Sequence, residues 1–266
     1  MNHSDELDLR LATAVSVARS AGEFALACFA DLGALNIRSK GVQDMATEAD
    51  LRTEQLIREQ LLQHYPDDGF LGEESCADYE VREGQGVWVV DPIDGTQPFV
   101  SNINSWCVIL AYVEQDRTEL AVIYDPNRDE LFAARRGCGA TVNGSPLATT
   151  EAMSLADGLV GIGYSTRVPP EAALAPMTRL LAADGMFHRC GSGGLSLAYV
   201  AAGRLLAYYE PHMNCWDSVA GALLVREAGG CTNAEVESVA VMQHGSAVLA
   251  AGKGIYAALE VVAGVR

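Results

Sequence analysis

An apolar run, Trp88-Val89-Val90, delivers the chain to Asp91-Pro92-Ile93-Asp94-Gly95-Thr96, where two carboxylates flank a proline. A buried-type strand that ends this way puts both acids, and the exposed carbonyl of Ile93, at one strand end. Oxygen ligands grouped like this suit a hard divalent cation such as magnesium. Pro92 fixes its own backbone torsion, and Gly95 lets the chain approach a ligand closely. If a helical turn starts at Gly95-Thr96, its unpaired amides and dipole form a seat for an anion beside the cation. An Asp-Pro turn followed by an acidic helix cap would explain each residue taken singly.

Three further acidic segments bear on that choice. Gly72-Glu73-Glu74-Ser75 is a pair of acids in a glycine-bounded turn after apolar Phe70-Leu71. Trp216-Asp217-Ser218-Val219-Ala220-Gly221 sets an acid between a large aromatic and a small-residue helix start, where Asp217 would also serve as an N-cap. Thr47-Glu48-Ala49-Asp50 has the spacing of a capping box, so Asp50 is open to a helix-starting role or a chemical one.

Taken together, Asp44-Met45-Ala46-Thr47-Glu48-Ala49-Asp50, Gly72-Glu73-Glu74-Ser75, Asp91-Pro92-Ile93-Asp94-Gly95-Thr96 and Trp216-Asp217-Ser218-Val219-Ala220-Gly221 resemble the signatures of the inositol monophosphatase family, in order and at similar separations. The resemblance extends over nearly the whole chain, through Gly191-Ser192, Leu195 to Arg204, Tyr208-Tyr209-Glu210 and Arg226-Glu227-Ala228-Gly229-Gly230. It implies a layered αβαβα sandwich, two to three magnesium ions, lithium sensitivity and a homodimer. By position, Glu73, Asp91 and the Ile93 carbonyl would hold the first ion, Asp91, Asp94 and Asp217 the second, and a third would sit near Glu73. Asp50 and Thr96 would orient and deprotonate the attacking water, the Gly95 and Thr96 amides would hold phosphate, and Glu210 would receive a substrate hydroxyl. The implied activity is hydrolysis of a small phosphate monoester, myo-inositol 1-phosphate first. Histidinol phosphate, fructose 1,6-bisphosphate and phosphoadenosine nucleotides are alternatives on the same fold, and a non-catalytic or RNA-associated regulator is an alternative of another class.

The residues agree with that chemistry. One cation lowers the pKa of water and another neutralises the leaving oxygen in two-metal phosphoryl transfer, so no protein nucleophile is needed. An aspartyl-phosphate mechanism wants two acids two apart, whereas Asp91 and Asp94 are three apart. No histidine falls in an H-E-x-x-H arrangement, and Gly191-Ser192-Gly193-Gly194 fits neither Walker nor dinucleotide spacing. That glycine run reads instead as a place where backbone, Gly191 included, approaches a substrate. Gln97-Pro98-Phe99 and Gly193-Gly194 depart from the family pattern, which bears on specificity rather than on metal binding. Lys40 reads as a surface lysine or a cation beside the active-site loop.

The elements that must position these groups are legible in outline. Leu7 to Phe29 has helical spacing, and Glu48 to His64 predicts a second helix stopped by Tyr65-Pro66-Asp67-Asp68-Gly69. Val87–Val90, Cys107–Val113, Leu120–Tyr124 and Glu130–Ala134 predict strands of an antiparallel section. After Gly144-Ser145-Pro146 apolar strands alternate with helices at Leu195–Ala202, Ser218–Ala228 and Tyr256–Val262. The fold class is therefore α/β, with an α+β half over 1–145 carrying most metal ligands and an α/β half over 146–266 carrying Glu210 and Asp217. No linker separates the halves, so they form one unit with a cleft between them.

Bulk composition sets the limits. The chain has 266 residues, enough for a large core, with 35 acidic against 18 basic residues and a formal net charge of −17. Such a surface repels a phosphate backbone, so nucleic acid is an unexpected partner, and a small phosphorylated substrate needs bound cations to enter. Seven scattered cysteines without a C-x-x-C pair read as reduced thiols, and the acidic start lacks a signal core. With no run of about 20 apolar residues, the chain is expected to avoid membranes and reside in the cytoplasm.

Overall fold

The structure is a computed structural model that describes residues 2–34, 37–41, 44–76, 85–233, 242 and 244–265. The side chain of Lys40 lies outside the described residues. Helix α1 (His3–Ala30) opens with a capping box in which Asn2 Oδ1 accepts from the Asp5 amide at 2.9 Å, and Asp5 and Glu6 face the positive end of the helix dipole. Strands β1 (Ile37–Gly41) and β2 (Asp44–Thr47) pair antiparallel and lead into α2 (Glu48–His64).

Strands β3 (Gly69–Gly72) and β4 (Val87–Asp94) follow, then the short helix α3 (Thr96–Val100). Next come β5 (Cys107–Glu114), β6 (Arg117–Asp125), β7 (Glu130–Arg135), β8 (Ala140–Val142) and β9 (Ser145–Pro146). These make a seven-stranded sheet in sequential order β3 to β9, antiparallel except for the parallel β3–β4 pair. Among the described residues the α-helices and strands that follow are β10 (Leu159–Ile162), α4 (Glu171–Ala182), β11 (Met186–His188), α5 (Gly193–Ala201), β12 (Ala207–Met213), α6 (Cys215–Glu227), β13 (Cys231–Thr232), β14 (Ser246–Ala251) and α7 (Tyr256–Ala263). Their five-stranded sheet has the order β11-β10-β12-β14-β13, with β10 parallel to both neighbours and β14 antiparallel to both of its own.

Strand alternation explains how these pieces stack. On β4, Trp88 and Val90 join Leu7, Ala14 and Val17 of α1 and Ile57 and Leu61 of α2, while Val87 and Val89 join the opposite cluster with α5 and α6. On β12, Tyr208 faces α5 and α6, and Ala207 and Tyr209 face Leu180 of α4 and Leu259 of α7. The layers are therefore α1α2, seven-stranded sheet, α5α6, five-stranded sheet, α4α7: the αβαβα sandwich expected. Each large apolar side chain buried this way contributes about 1.5–3 kcal/mol.

The middle layer is covered on both sides. Ser218 to Val225 of α6 are eight consecutive buried residues, as a helix packed between two sheets requires. At the outer layer, Arg10 of α1 lies over the rings of Tyr65 and Tyr112 and pairs with Asp68, a carboxylate that also accepts from Trp88 Nε1 at 2.9 Å. This buried pair pins α1 to the start of the first sheet.

Candidate active site

Residues three apart on a regular strand point to opposite faces, so β4 needs a defect to unite Asp91 with Asp94. It has one. Asp91 lies opposite Ile109 and Asp94 opposite Cys107, so three steps on β4 match two on β5. This bulge inserts one extra residue and returns Asp94 to the side of Asp91. Ile93 N donates to Asp91 Oδ1 at 2.9 Å inside the bulge.

Asp217 reaches the same point from α6. The N-cap there is Asn214, not Asp217: Asp217 is the third helical residue, and its Oδ2 accepts from the Asn214 amide at 3.2 Å. Carboxylate oxygens of Asp91, Asp94 and Asp217 all lie within 4.8 Å of one another. Asp91 is 1% exposed and Asp94 7%. Glu73 leaves the end of β3 beside β4, where its amide donates to the Val90 carbonyl at 3.1 Å.

Crowding these acids has a clear electrostatic signature. Burial pushes the Asp91 carboxyl well above the usual range, and the charges of Glu73, Asp94 and Asp217 push it further. Asp94 rises to about 7, again by burial first and then by Asp217. Burial also raises Asp217, while its hydrogen bond with Asp91 opposes that rise. An all-oxygen set of buried acids that repel one another is the donor chemistry a hard divalent cation satisfies, and these residues fit one.

Asp50 performs the helix-starting role and also turns a carboxylate oxygen toward Thr96. Its Oδ2 accepts from the Thr47 amide at 2.8 Å and the Thr47 hydroxyl at 2.5 Å, completing the capping box of α2. Its Oδ1 accepts from the Thr96 hydroxyl at 3.2 Å, equidistant from the Ile93 carbonyl. Burial raises the Asp50 carboxyl, while the Thr47 hydrogen bonds oppose that rise. One turn along α2, buried Glu54 accepts from the Glu74 amide at 2.8 Å and thereby holds the turn that carries Glu73.

Gly95 starts α3 in the left-handed region at φ 100°, and a Cβ there would lie 2.8 Å from the Ser105 carbonyl oxygen. Gly95→Ala should therefore lose about 1–3 kcal/mol of stability, read from urea melts, because both torsion and space oppose it. A wild-type midpoint in that variant would mean that the turn is not strained.

Asp94 is held from the other side of the molecule. Ser192 Oγ and the Gly194 amide each donate to Asp94 Oδ2 at 2.6 Å, and the Gly193 amide to Oδ1 at 3.3 Å. The glycine run expected to approach a substrate thus brings its backbone to Asp94. A Cβ on Gly194 would lie 2.9 Å from that carboxylate and 2.5 Å from Ile109 Cδ1. Gly191, at φ 88°, packs against Pro98, with a Cβ there 2.8 Å from Pro98 Cγ. The two departures noted in the sequence, Pro98 and Gly193-Gly194, therefore lie along one seam between α3 and α5.

Glu210 lies on β12, where the Tyr208 hydroxyl donates to its Oε2 at 2.5 Å. Burial raises its carboxyl to about 7, against the lowering effect of Tyr208. Glu73, Asp91, Ile93, Asp94, Gly95, Thr96, Gly191, Glu210 and Asp217 all line one cleft of about 460 Å³. Asp50 is not in its lining and reaches it through Thr96. Sequence reasoning did not single out Ser192 as a support for Asp94, nor Arg167 and Arg189 in the lining. A serine three residues ahead of Leu195 at a helix start was the one available signal for Ser192.

With this geometry in view, the sequence model of the inositol monophosphatase family matches residues 6–262. A Nus factor SuhB of Xylella fastidiosa is 39% identical over 218 residues, covering 81% of this chain and 78% of its own. The crystal structure of extragenic suppressor protein suhB from Bartonella henselae superposes with a TM-score of 0.87 at 31% identity, covering 94% of this chain and 96% of that one. A Thermotoga maritima IMPase superposes with a TM-score of 0.84 at 27% identity over 98% and 97% of the two chains. Family match, layered architecture and gathered acids agree along almost the whole length, and the chain belongs to the inositol monophosphatase family.

Proposed function

We propose that the protein hydrolyses a small phosphate monoester with the help of two to three magnesium ions. The convergence of Asp91, Asp94 and Asp217 within 4.8 Å carries this reading. Glu73, Asp91, Asp94, Asp217 and the Ile93 carbonyl would hold the ions, whose chemistry when bound is to acidify water and offset charge on phosphate. A water that Thr96 orients passes its proton to the Thr96 oxygen as the Thr96 hydroxyl proton moves to Asp50, whose pKa is raised by burial and whose Oδ1 already accepts from that hydroxyl. The Gly95 and Thr96 amides, at the open first turn of α3, face phosphate. Glu210 receives a substrate hydroxyl, and Gly191 brings backbone to the same cleft. The pocket thus suits a phosphorylated polyol, and myo-inositol 1-phosphate is the first substrate to test.

Phosphate release from a panel of polyol, sugar and nucleotide monophosphates, with and without magnesium, tests the reading. Magnesium-dependent turnover inhibited by lithium is expected, and no release from any compound would overturn it. In that event a regulatory role of the kind suggested by the name Nus factor, carried by a relative at 39% identity, becomes the better account. We further propose a homodimer in the cytoplasm. The exposed apolar residues Leu174, Leu181, Met186 and Phe187, around α4 and the edge strand β11, favour self-association. Among the described residues no helix is long and apolar enough to cross a membrane.

A further inference from the structure

The lining of the cleft also carries charge that the catalytic reading leaves unused. β10 and β11 run parallel side by side, with Gly161 opposite His188, so the segments leaving their carboxyl ends start as neighbours. In open α/β sheets ligands gather outside such strand ends. Each segment brings an arginine into the lining of the cleft, Arg167 after β10 and Arg189 after β11. The Arg189 guanidinium donates to the Tyr164 carbonyl at 3.4 Å, which sets it against the segment carrying Arg167.

Both arginines are exposed, and among the described residues neither pairs with a carboxylate. By contrast Arg10, Arg135 and Arg204 each hold an acid by a direct ion pair, and Arg179 is held by the Val262 carbonyl. At longer range Arg167 favours ionised Asp217 and Arg189 favours ionised Glu210. That effect needs charge alone, whereas a guanidinium also offers five N–H donors in a planar fork matched to phosphate or carboxylate. Two such forks in the lining of the cleft that holds the acids describe a site for a second anionic group.

We propose that Arg167 and Arg189 form an anion subsite, so that the preferred substrate carries a phosphate or carboxylate besides the phosphate that is cleaved. The inference rests on the phosphatase reading for the identity of the cleaved group. The subsite itself asks only that a dianionic molecule bind across the cleft.

Turnover of fructose 1,6-bisphosphate, 6-phosphogluconate and fructose 1-phosphate tests the substrate class. The wild-type kcat/KM for one of the first two should exceed that for fructose 1-phosphate at least tenfold, and which one does separates phosphate from carboxylate. The double variant Arg167→Ala/Arg189→Ala should bring the ratio near one, and lysine at both positions should retain part of it. A ratio unchanged in the double alanine variant overturns the subsite. Calorimetric titration of fructose 1,6-bisphosphate into Asp94→Asn protein, with and without the two alanines, separates this proposal from the phosphatase reading. Tenfold weaker binding with the alanines supports the subsite even if no compound releases phosphate, and equal binding overturns it even if phosphate is released.

Discussion

Asp94→Asn should lower kcat/KM by about a thousandfold or more while leaving the fold intact. The change removes one ligand charge at nearly constant volume, and the several kcal/mol of charge stabilisation lost at the reacting phosphate correspond to that factor. Asparagine can still accept from Ser192 and Gly194 through its carbonyl oxygen, so the seam between α3 and α5 keeps two of its three hydrogen bonds to this side chain. Without cations the variant should also melt higher than the wild type at pH 8, because one member of a repelling buried group has become neutral. Steady-state kinetics and a thermal melt check both halves. Wild-type turnover, or a melting temperature below wild type without cations, would contradict this assignment.

The second large effect is the response of stability to pH and to divalent cations. The folded-state pKa of Asp94, about 7, lies above the unfolded value near 3.9, so the folded state binds its proton more tightly. That contribution is complete below about pH 4 and is lost as pH rises through about 7, on the order of 4 kcal/mol for full titration. Asp91 and Glu210, raised by burial, act in the same direction. Metal-stripped protein should therefore lose stability steadily between about pH 5 and pH 8. Magnesium at a hundred times its Kd should return about 2.7 kcal/mol. Urea melts at several pH values, with EDTA or with magnesium, give the slopes. A flat profile with EDTA, or no gain with magnesium at pH 8, would count against the cluster.

How much of this was legible in the sequence depends on the range of the interaction. Helix α2 and its Thr47 cap were readable because a capping box is written within four residues. The strands β4 to β7 were readable because sheet alternation is local. Helix α4, which carries Pro176 inside it, and the pairing of β1 with β2 were not identified. The acids could be named from the resemblance, yet their meeting depends on the β4 bulge, and nothing in Asp91-Pro92-Ile93-Asp94 states that two residues of β5 will oppose three of its own. The grip of Ser192, Gly193 and Gly194 on Asp94 joins positions about a hundred apart, and such contacts are set by the stacking of layers rather than by neighbours in the chain. For the same reason Asp217 read as a cap, when the cap belongs to Asn214.

The eight buried residues that follow Asp217 on α6 have a consequence for how the protein can change. A helix with no wet side offers no harmless positions, since each swap from Ser218 to Val225 either opens a void or crowds a sheet. Drift toward new ligands must then occur at the loops leaving β10 and β11, while the segment that aims Asp217 stays fixed like an axle between two plates.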